Sequence, residues 1–301
     1  MILVVGGSGT LGRVITQNLL AAGEAVRVMT RAPAKATVLR DAGAEVVTGD
    51  LTDRESLIRA CAGAERVIAA AHSFLGRGRL ASEHVDRAGN KHLIEIAKQS
   101  GARHFVYISA YFNDPAFLTI PFVRMKQEVE KHLRESGLSY TILRPTAFMD
   151  FHAHVLIGIP VIKGKKVMLF GAGKRPRNFV AASDVAQLAA RALSDSSLVN
   201  QTIDIGGPDN LSSVDVVRIY ESIARRKARV AHVPASVASV LGRIVRPFHP
   251  GVSQILQTAS IADVAEQRFD AGGLQERFAL RLYRLEDWAR QQNVSATLNY
   301  K

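Results

Sequence analysis

The chain has 301 residues, of which 47% are hydrophobic, so it is no disordered polymer and is long enough for one large domain or a nucleotide-binding domain with an appendage. A single cysteine, Cys61, excludes an internal disulfide framework and fits a reducing cytoplasm. The net charge of +12 is dispersed, with two modest clusters (Lys163 to Arg177 and Arg225 to Arg229) and no interleaved aromatics, so no nucleic-acid partner is expected.

The first half alternates strand and helix signals. Ile2 to Val5 reads as a buried strand, Leu11 to Ala22 as a helix stopped by Gly23, and Ala25 to Met29 as a second strand. Pro33 opens a short helix that ends before Gly43, and Glu45 to Thr48 is a third strand. Thr52 and Glu55 have capping-box spacing for the next helix. Arg66 to Ala71 is a fourth strand, followed by a long helix to Gln99. Arg103 to Ser109, helical Pro121 to Glu135 and Ser139 to Leu143 complete the alternation. Strands that are apolar throughout and separated by helices imply a parallel sheet covered on both faces, an α/β doubly wound fold. The second half is less regular. Val167 to Phe170 and Gln201 to Ile205 read as strands, and Ser183 as the cap of a helix to Leu193. Ser212 to Arg225, Ser253 to Gln267 and Leu285 to Gln292 read as helices. No apolar run reaches membrane-spanning length, since Val233 to Val245 is broken by Pro234, Ser236, Ser239 and Arg243, and Met1 to Val5 is too short for a signal peptide.

The turn between the first strand and helix, VVGGSGTLGR, holds four glycines in seven residues. Gly7, Gly9 and Gly12 match G-x-G-x-x-G, and Gly6, Gly9 and Gly12 match G-x-x-G-x-x-G. In either register the chain turns sharply, approaches a pyrophosphate and packs the helix close to the sheet, with the helix N-terminus facing the anion. About 20 residues further on, where an acid would hold the ribose of NAD, the sequence reads Met29-Thr30-Arg31. A guanidinium there pairs with a 2′-phosphate, so NADP(H) is the expected cofactor, with Arg31 on that phosphate.

These residues, with GDLTD (Gly49 to Asp53), FVYISA (Phe105 to Ala110) and SGLSYTILRPTAFMD (Ser136 to Asp150), resemble the atypical short-chain dehydrogenase/reductases, in particular the NmrA-like and isoflavone-reductase-like branch. The resemblance implies an extended Rossmann domain over residues 1–150 and a small C-terminal substrate lobe over 151–301 that shares its core. By position it places Gly7, Gly9, Thr10, Leu11 and Gly12 on the pyrophosphate, and Asp50 and Leu51 beside the adenine. It sets Ala70, Ala71 and His72 on the nicotinamide side, and Pro145, Thr146 and Phe148 against the nicotinamide ring.

The family's full catalytic set is a Ser, a Tyr and a Lys, the last two as Y-x-x-x-K. Here Ser109 and Lys126 occupy their positions and are the candidate catalytic residues, but the tyrosine position is Phe122, which has no proton to give. Lys126 is expected either on the nicotinamide ribose or on a mixed-charge helix surface, and Ser109 either at the cofactor or on local backbone. Tyr111, His152, His154, Phe112 and Phe151 are further candidates for lining a cleft, with plain packing as the alternative. No metal-ligand spacing occurs. Three functions remain open: an NADPH-dependent oxidoreductase acting on a small quinone-like or aromatic acceptor, a dinucleotide sensor without turnover, and a structural dinucleotide-binding subunit. For the last of these, Val233 to Phe248 and the basic charge offer room for a protein partner, and a homo-oligomer is equally compatible.

Overall fold

The computed structural model describes residues 1–262, 265 and 267–298. Its centre is a seven-stranded sheet, and each βα unit of the first half follows the pattern read from the sequence. In chain order the elements are β1 (Ile2–Val5), α1 (Thr10–Ala21), β2 (Val26–Thr30), α2 (Thr37–Asp41), β3 (Glu45–Thr48), α3 (Arg54–Cys61) and β4 (Arg66–Ala69). Then come α4 (Asn90–Gln99), β5 (His104–Ile108), α5 (Pro121–Glu135), β6 (Ser139–Pro145), β7 (Ala147–Phe148), α6 (Ile159–Ile162) and β8 (Lys166–Phe170). The remainder is β9 (Arg177–Val180), α7 (Ala182–Arg191), β10 (Gln201–Ile205), β11 (Asn210–Leu211), α8 (Ser213–Ala224), β12 (Arg229–Val233), α9 (Ala235–Val245), α10 (Pro250–Ala262), α11 (Gly272–Phe278) and α12 (Leu285–Leu298).

The central sheet runs β3-β2-β1-β4-β5-β6-β10, every pair parallel. The strand order reverses between β1 and β4, which opens a crevice at their carboxyl ends. Along β1, Ile2 and Val4 pack into one face with Leu11, Ile15 and Leu19 of α1 and Val185 and Leu188 of α7. Leu3 and Val5 pack into the other with Leu57 of α3, Leu93 of α4, and Val129 and Leu133 of α5. This is the period-two alternation of a strand buried on both sides. The seventh strand, β10, comes from beyond residue 150, so the sheet is completed by the second half of the chain. A smaller core around Met149, Phe179, Val216, Tyr220 and Trp288 joins β7, β9, β11 and α8 beside the sheet's carboxyl edge.

Several local expectations are corrected. The N-cap of α3 is Asp53, whose carboxylate accepts from the Glu55 amide, because Thr52 instead donates to Asp50 from amide and hydroxyl. Ser183 does not cap α7: the helix begins at Ala182, and its amide is taken by the Asp150 carboxylate at 3.0 Å. The long helix before Gln99 starts only at Glu83, and its first turns, Glu83–Gly89, are wound as a π-helix. The helix expected over Ser253 to Gln267 is α10, which starts at Pro250; residues 263, 264 and 266 lie outside the described residues. The helix expected over Ser212 to Arg225 is α8, and Ser212 is its N-cap, in a reciprocal box with Asp215. No helix among the described residues is long and apolar enough to cross a membrane.

Candidate active site

The glycine turn follows β1 at the point where the strand order reverses. Gly6 sits at φ +85°, and a Cβ there would lie 2.8 Å from the Ala71 backbone. A Cβ on Gly12 would stand 2.2 Å from the Gly6 carbonyl oxygen, so α1 can start this close to the turn only with glycine. Gly9 differs: a Cβ there would meet only the Gly6 oxygen at 3.3 Å, so protein packing does not account for its missing side chain. Gly9 is the N-cap of α1 and offers no side-chain acceptor, and the first turn carries no acid. Among the described residues the amides of Thr10, Leu11 and Gly12 have no protein acceptor. An open backbone, free amides and a helix dipole fit a pyrophosphate. At the end of β2, Thr30 accepts from the Ala32 amide and shares a 2.6 Å bond with Ser8, which ties the two loops together. Arg31 is exposed just beyond and has neither hydrogen bond nor ion pair among the described residues. Asp50 Oδ1 is occupied by Thr52, and the side chain of Leu51 is buried in the core beneath the loop, so Leu51 presents backbone to that crevice.

On the other side of the crevice, Ala70 is held by its amide to the Val5 oxygen and leads through half-buried Ala71 to His72. His72 reaches accessible surface, yet surrounding protein lowers its pKa, an effect opposed by Asp86 and reinforced by Lys126. A side chain that is both accessible and desolvated lies on the wall of a recess. Pro145 ends β6, and the Thr146 amide bonds the Ile205 oxygen. The Thr146 hydroxyl donates to Asn178 Oδ1 at 2.9 Å. Asn178 also accepts from the Gly207 amide and donates to the Gly207 oxygen, so one buried amide locks the loops after β6 and β10 to β9. Phe148 is half-buried against the core face shared with α1.

Lys126 is buried on α5 with its Nζ donating to the Ile108 oxygen at 3.0 Å; its two other N–H bonds find no acceptor among the described residues. Burial pushes its pKa down, against the pull of Asp86 and Glu130. Nζ stands 4.9 Å from the Tyr107 ring centroid and 5.5 Å from that of Phe122. Phe122 makes an edge contact with Phe74 at 4.8 Å, so the position expected for a phenolic acid is apolar packing. Ser109 donates to Glu130 Oε1 at 2.6 Å and is buried. Glu130 takes two bonds from Arg144, at 2.9 and 2.5 Å, and one from Arg134 at 2.9 Å. Burial raises the Glu130 carboxyl, but the bonds from Arg144 and Ser109 outweigh it and hold the pKa below the usual value.

Other candidates separate. Tyr111 packs edge-on against Phe269 and bonds the Arg268 oxygen at 3.3 Å. Phe112 packs on Phe117 in a separate cluster, Phe151 packs on His152, and His154 bonds the Tyr220 hydroxyl at 3.0 Å. Cys61 is buried, and burial drives its thiol up to about 12, which suits packing. Four residues at or behind the crevice carried no motif: Asp86, Glu130, Asn178 and Arg177. Only Glu130 had a readable sign, four residues after Lys126 on the same helix face. Asp86 is fully buried, accepts the Ser73 amide at 2.9 Å and keeps Oδ1 without a partner.

A family model for NAD(P)H-binding domains matches residues 6–196. A chloroplastic protein of Arabidopsis thaliana, High Chlorophyll Fluorescence Phenotype 244, is 34% identical over 251 residues, 82% of this chain and 61% of that protein, so the chain spans less than two thirds of it. Photosystem II assembly factor Ycf39 of Synechocystis is 30% identical over 82% of this chain and 74% of its own. An NAD(P)H azoreductase of Xenophilus azovorans is 29% identical over 76% of each. Among solved structures, the NADPH-dependent quinone oxidoreductase QOR2 of Escherichia coli aligns over 97% of this chain and 99% of its own, with a TM-score of 0.75 at 20% identity.

Proposed function

The chain belongs to the NAD(P)H-binding family, among the NmrA-like atypical short-chain dehydrogenase/reductases, and from that premise we propose that it is an NADPH-dependent reductase of a small quinone-like or aromatic acceptor. The observation that carries the reading is the open crevice whose two walls end in the free amides of Thr10 to Gly12 and in the accessible His72 and the pinned Thr146. NADPH is favoured over NADH because Arg31, without a protein partner among the described residues, stands where an NAD enzyme keeps a carboxylate. Bound NADPH supplies a hydride, and a quinone that takes it with one proton becomes the hydroquinone, leaving NADP⁺.

The protein's share is orientation. Gly9 would admit the pyrophosphate, and Lys126, with two N–H bonds unused among the described residues, would hold the nicotinamide ribose. Thr146, fixed through Asn178, and Phe148, paired with Val180 of β9, would position the ring. Phe122 gives no acid, so the acceptor must be one whose reduced oxygen takes its proton from solvent or from a group such as His72. This argues for quinones or azo compounds over simple ketones, and the azoreductase relative supports that class. The test is NADPH oxidation at 340 nm against a panel of quinones and azo dyes, where sustained turnover supports the enzyme.

The same Phe122 favours a second reading, a dinucleotide-holding protein that docks a partner, as the relatives' name of assembly factor suggests. The outer face of α9, with Val240 and Ile244 exposed, and the exposed Phe248 just beyond its end support it. Tight NADPH binding with no turnover of any acceptor, and a fixed partner on purification, would decide for that reading.

A further inference from the structure

Among the cations of the loop after β8, Arg177 is set apart. Lys174 and Arg175 are exposed, whereas Arg177 opens β9 and is only partly accessible. It lies one residue before Asn178, the side chain that pins Thr146, so it belongs to the same edge of the crevice as the loop after β6. Its guanidinium lies over the Phe179 ring, 4.7 Å from the centroid. Its Nε is sealed from solvent with no hydrogen-bond partner, and no ion pair reaches it among the described residues. Burial lowers its pKa to about 10, which leaves it charged at neutral pH.

Among the described residues no carboxylate neutralises it. Among the described residues the titratable group it acts on is His152, which in turn feels His72; burial holds both imidazoles toward the neutral form, so neither supplies a counter-charge. Burial first, then Arg177, then His72 lower the His152 pKa, to about 3. His152 therefore stays uncharged at neutral pH, with Nδ1 toward the Phe148 oxygen at 3.3 Å. A partly buried cation without a counter-charge is costly, and unsatisfied buried groups in folded proteins usually mark a place where something else completes the bonding. A planar, ring-stacked guanidinium is preorganised for a carboxylate, sulfonate or phosphate.

We infer that Arg177, beside His152, is an anion-binding subsite of the acceptor cleft, and that the acceptor is an aromatic or quinone-like ring carrying an anionic substituent. The inference names the substrate class for the reductase reading and rests on it for the word acceptor; the binding itself does not need turnover.

The experiment uses the full chain saturated with NADP⁺ and two ring-matched probes, 2-naphthoate and its neutral amide, 2-naphthamide, titrated by calorimetry. The wild type is expected to bind the carboxylate more tightly than the amide. Raising NaCl from low to high concentration should weaken only the carboxylate. R177Q should weaken 2-naphthoate by about 10- to 100-fold, the scale of a charge-assisted bond in a partly desolvated site. The same variant should change 2-naphthamide by less than about threefold, and R177K, a point charge without the planar fork, should fall between. If R177Q does not fold by circular dichroism, R177K and the salt titration of the wild type carry the test. No preference for the carboxylate in the wild type, or an equal loss for both probes in the variant, overturns the inference. Parallel 340 nm assays with neutral menadione test the reductase reading separately: Arg177-dependent naphthoate binding without menadione turnover would keep the subsite and remove the reductase.

Discussion

Replacing Arg31 with Asp tests the cofactor assignment at one side chain. Arg31 is exposed and makes no hydrogen bond or ion pair among the described residues, so the substitution removes nothing from the folded protein, and stability should move by no more than about 0.5 kcal/mol. Against NADPH, the guanidinium contributes charge-assisted bonds of about 1.5–3 kcal/mol. Because the side chain is exposed and screened, the lower end applies, about 1.5 kcal/mol. The new carboxylate adds a repulsion of similar size beside the phosphate, so the total is about 3 kcal/mol, or about 100-fold in Kd. NADH has no 2′-phosphate and offers ribose hydroxyls that Asp accepts, so its affinity should hold within about threefold or improve. Both constants can be read from the enhancement of nicotinamide fluorescence on titration, at low and physiological salt, with the NADPH preference shrinking as salt rises. Equal weakening of both cofactors, or no change in either, would refute the placement of Arg31 on the phosphate.

Gly12→Ala would put a Cβ 2.2 Å from the Gly6 oxygen, a backbone atom that cannot step aside without opening the turn, so NADPH titrations should show affinity down at least about tenfold alongside a lowered Tm. Glu130→Ala would leave Arg144 without its buried carboxylate; urea unfolding should register a loss of about 3–5 kcal/mol, and a loss under 1 kcal/mol would mean the ion pairs contribute little. His152 stays neutral in the folded chain to about pH 3 but takes a proton near 6.5 when unfolded, so its depressed pKa gives stability that is present above 6.5 and lost as pH falls through that window. The slope is at most about 1.4 kcal/mol per pH unit, reduced by the partial accessibility of the ring. Urea midpoints at pH 7, 6 and 5 should therefore fall less steeply for His152→Gln than for the wild type, and parallel trends would contradict the burial argument.

The half of the fold built from strict βα alternation was legible because its central strands β1, β4 and β5 are buried on both faces and its helices are followed by glycine. Gly23, Gly43, Gly101 and Gly137 all stand at positive φ where the sequence pattern places a stop. The segments β7, β9 and β11 were not legible, since strands of two to four residues are too short to show a period; they are set by Asn178, whose bonds reach Thr146, Gly207 and Asn210 across the chain. The π-wound turns before α4 had no sequence sign either, although they bury the Asp86 that influences His72 and Lys126. At the candidate site, the glycine turn and Arg31 could be read from spacing alone. The distinction between Arg177 and its exposed neighbours Lys174 and Arg175 could not, because a run of cations reads alike until the ring of Phe179 and the strand around it fix which one is enclosed.

A crystal structure of the full chain with NADPH tests the central claim most directly. The account predicts the pyrophosphate on the amides of Thr10 to Gly12, the 2′-phosphate within hydrogen-bond reach of the Arg31 guanidinium, and the nicotinamide between His72 and Thr146 with one face open to the recess. Crystals that show the cofactor elsewhere, or the glycine turn bare at saturating NADPH, would contradict it.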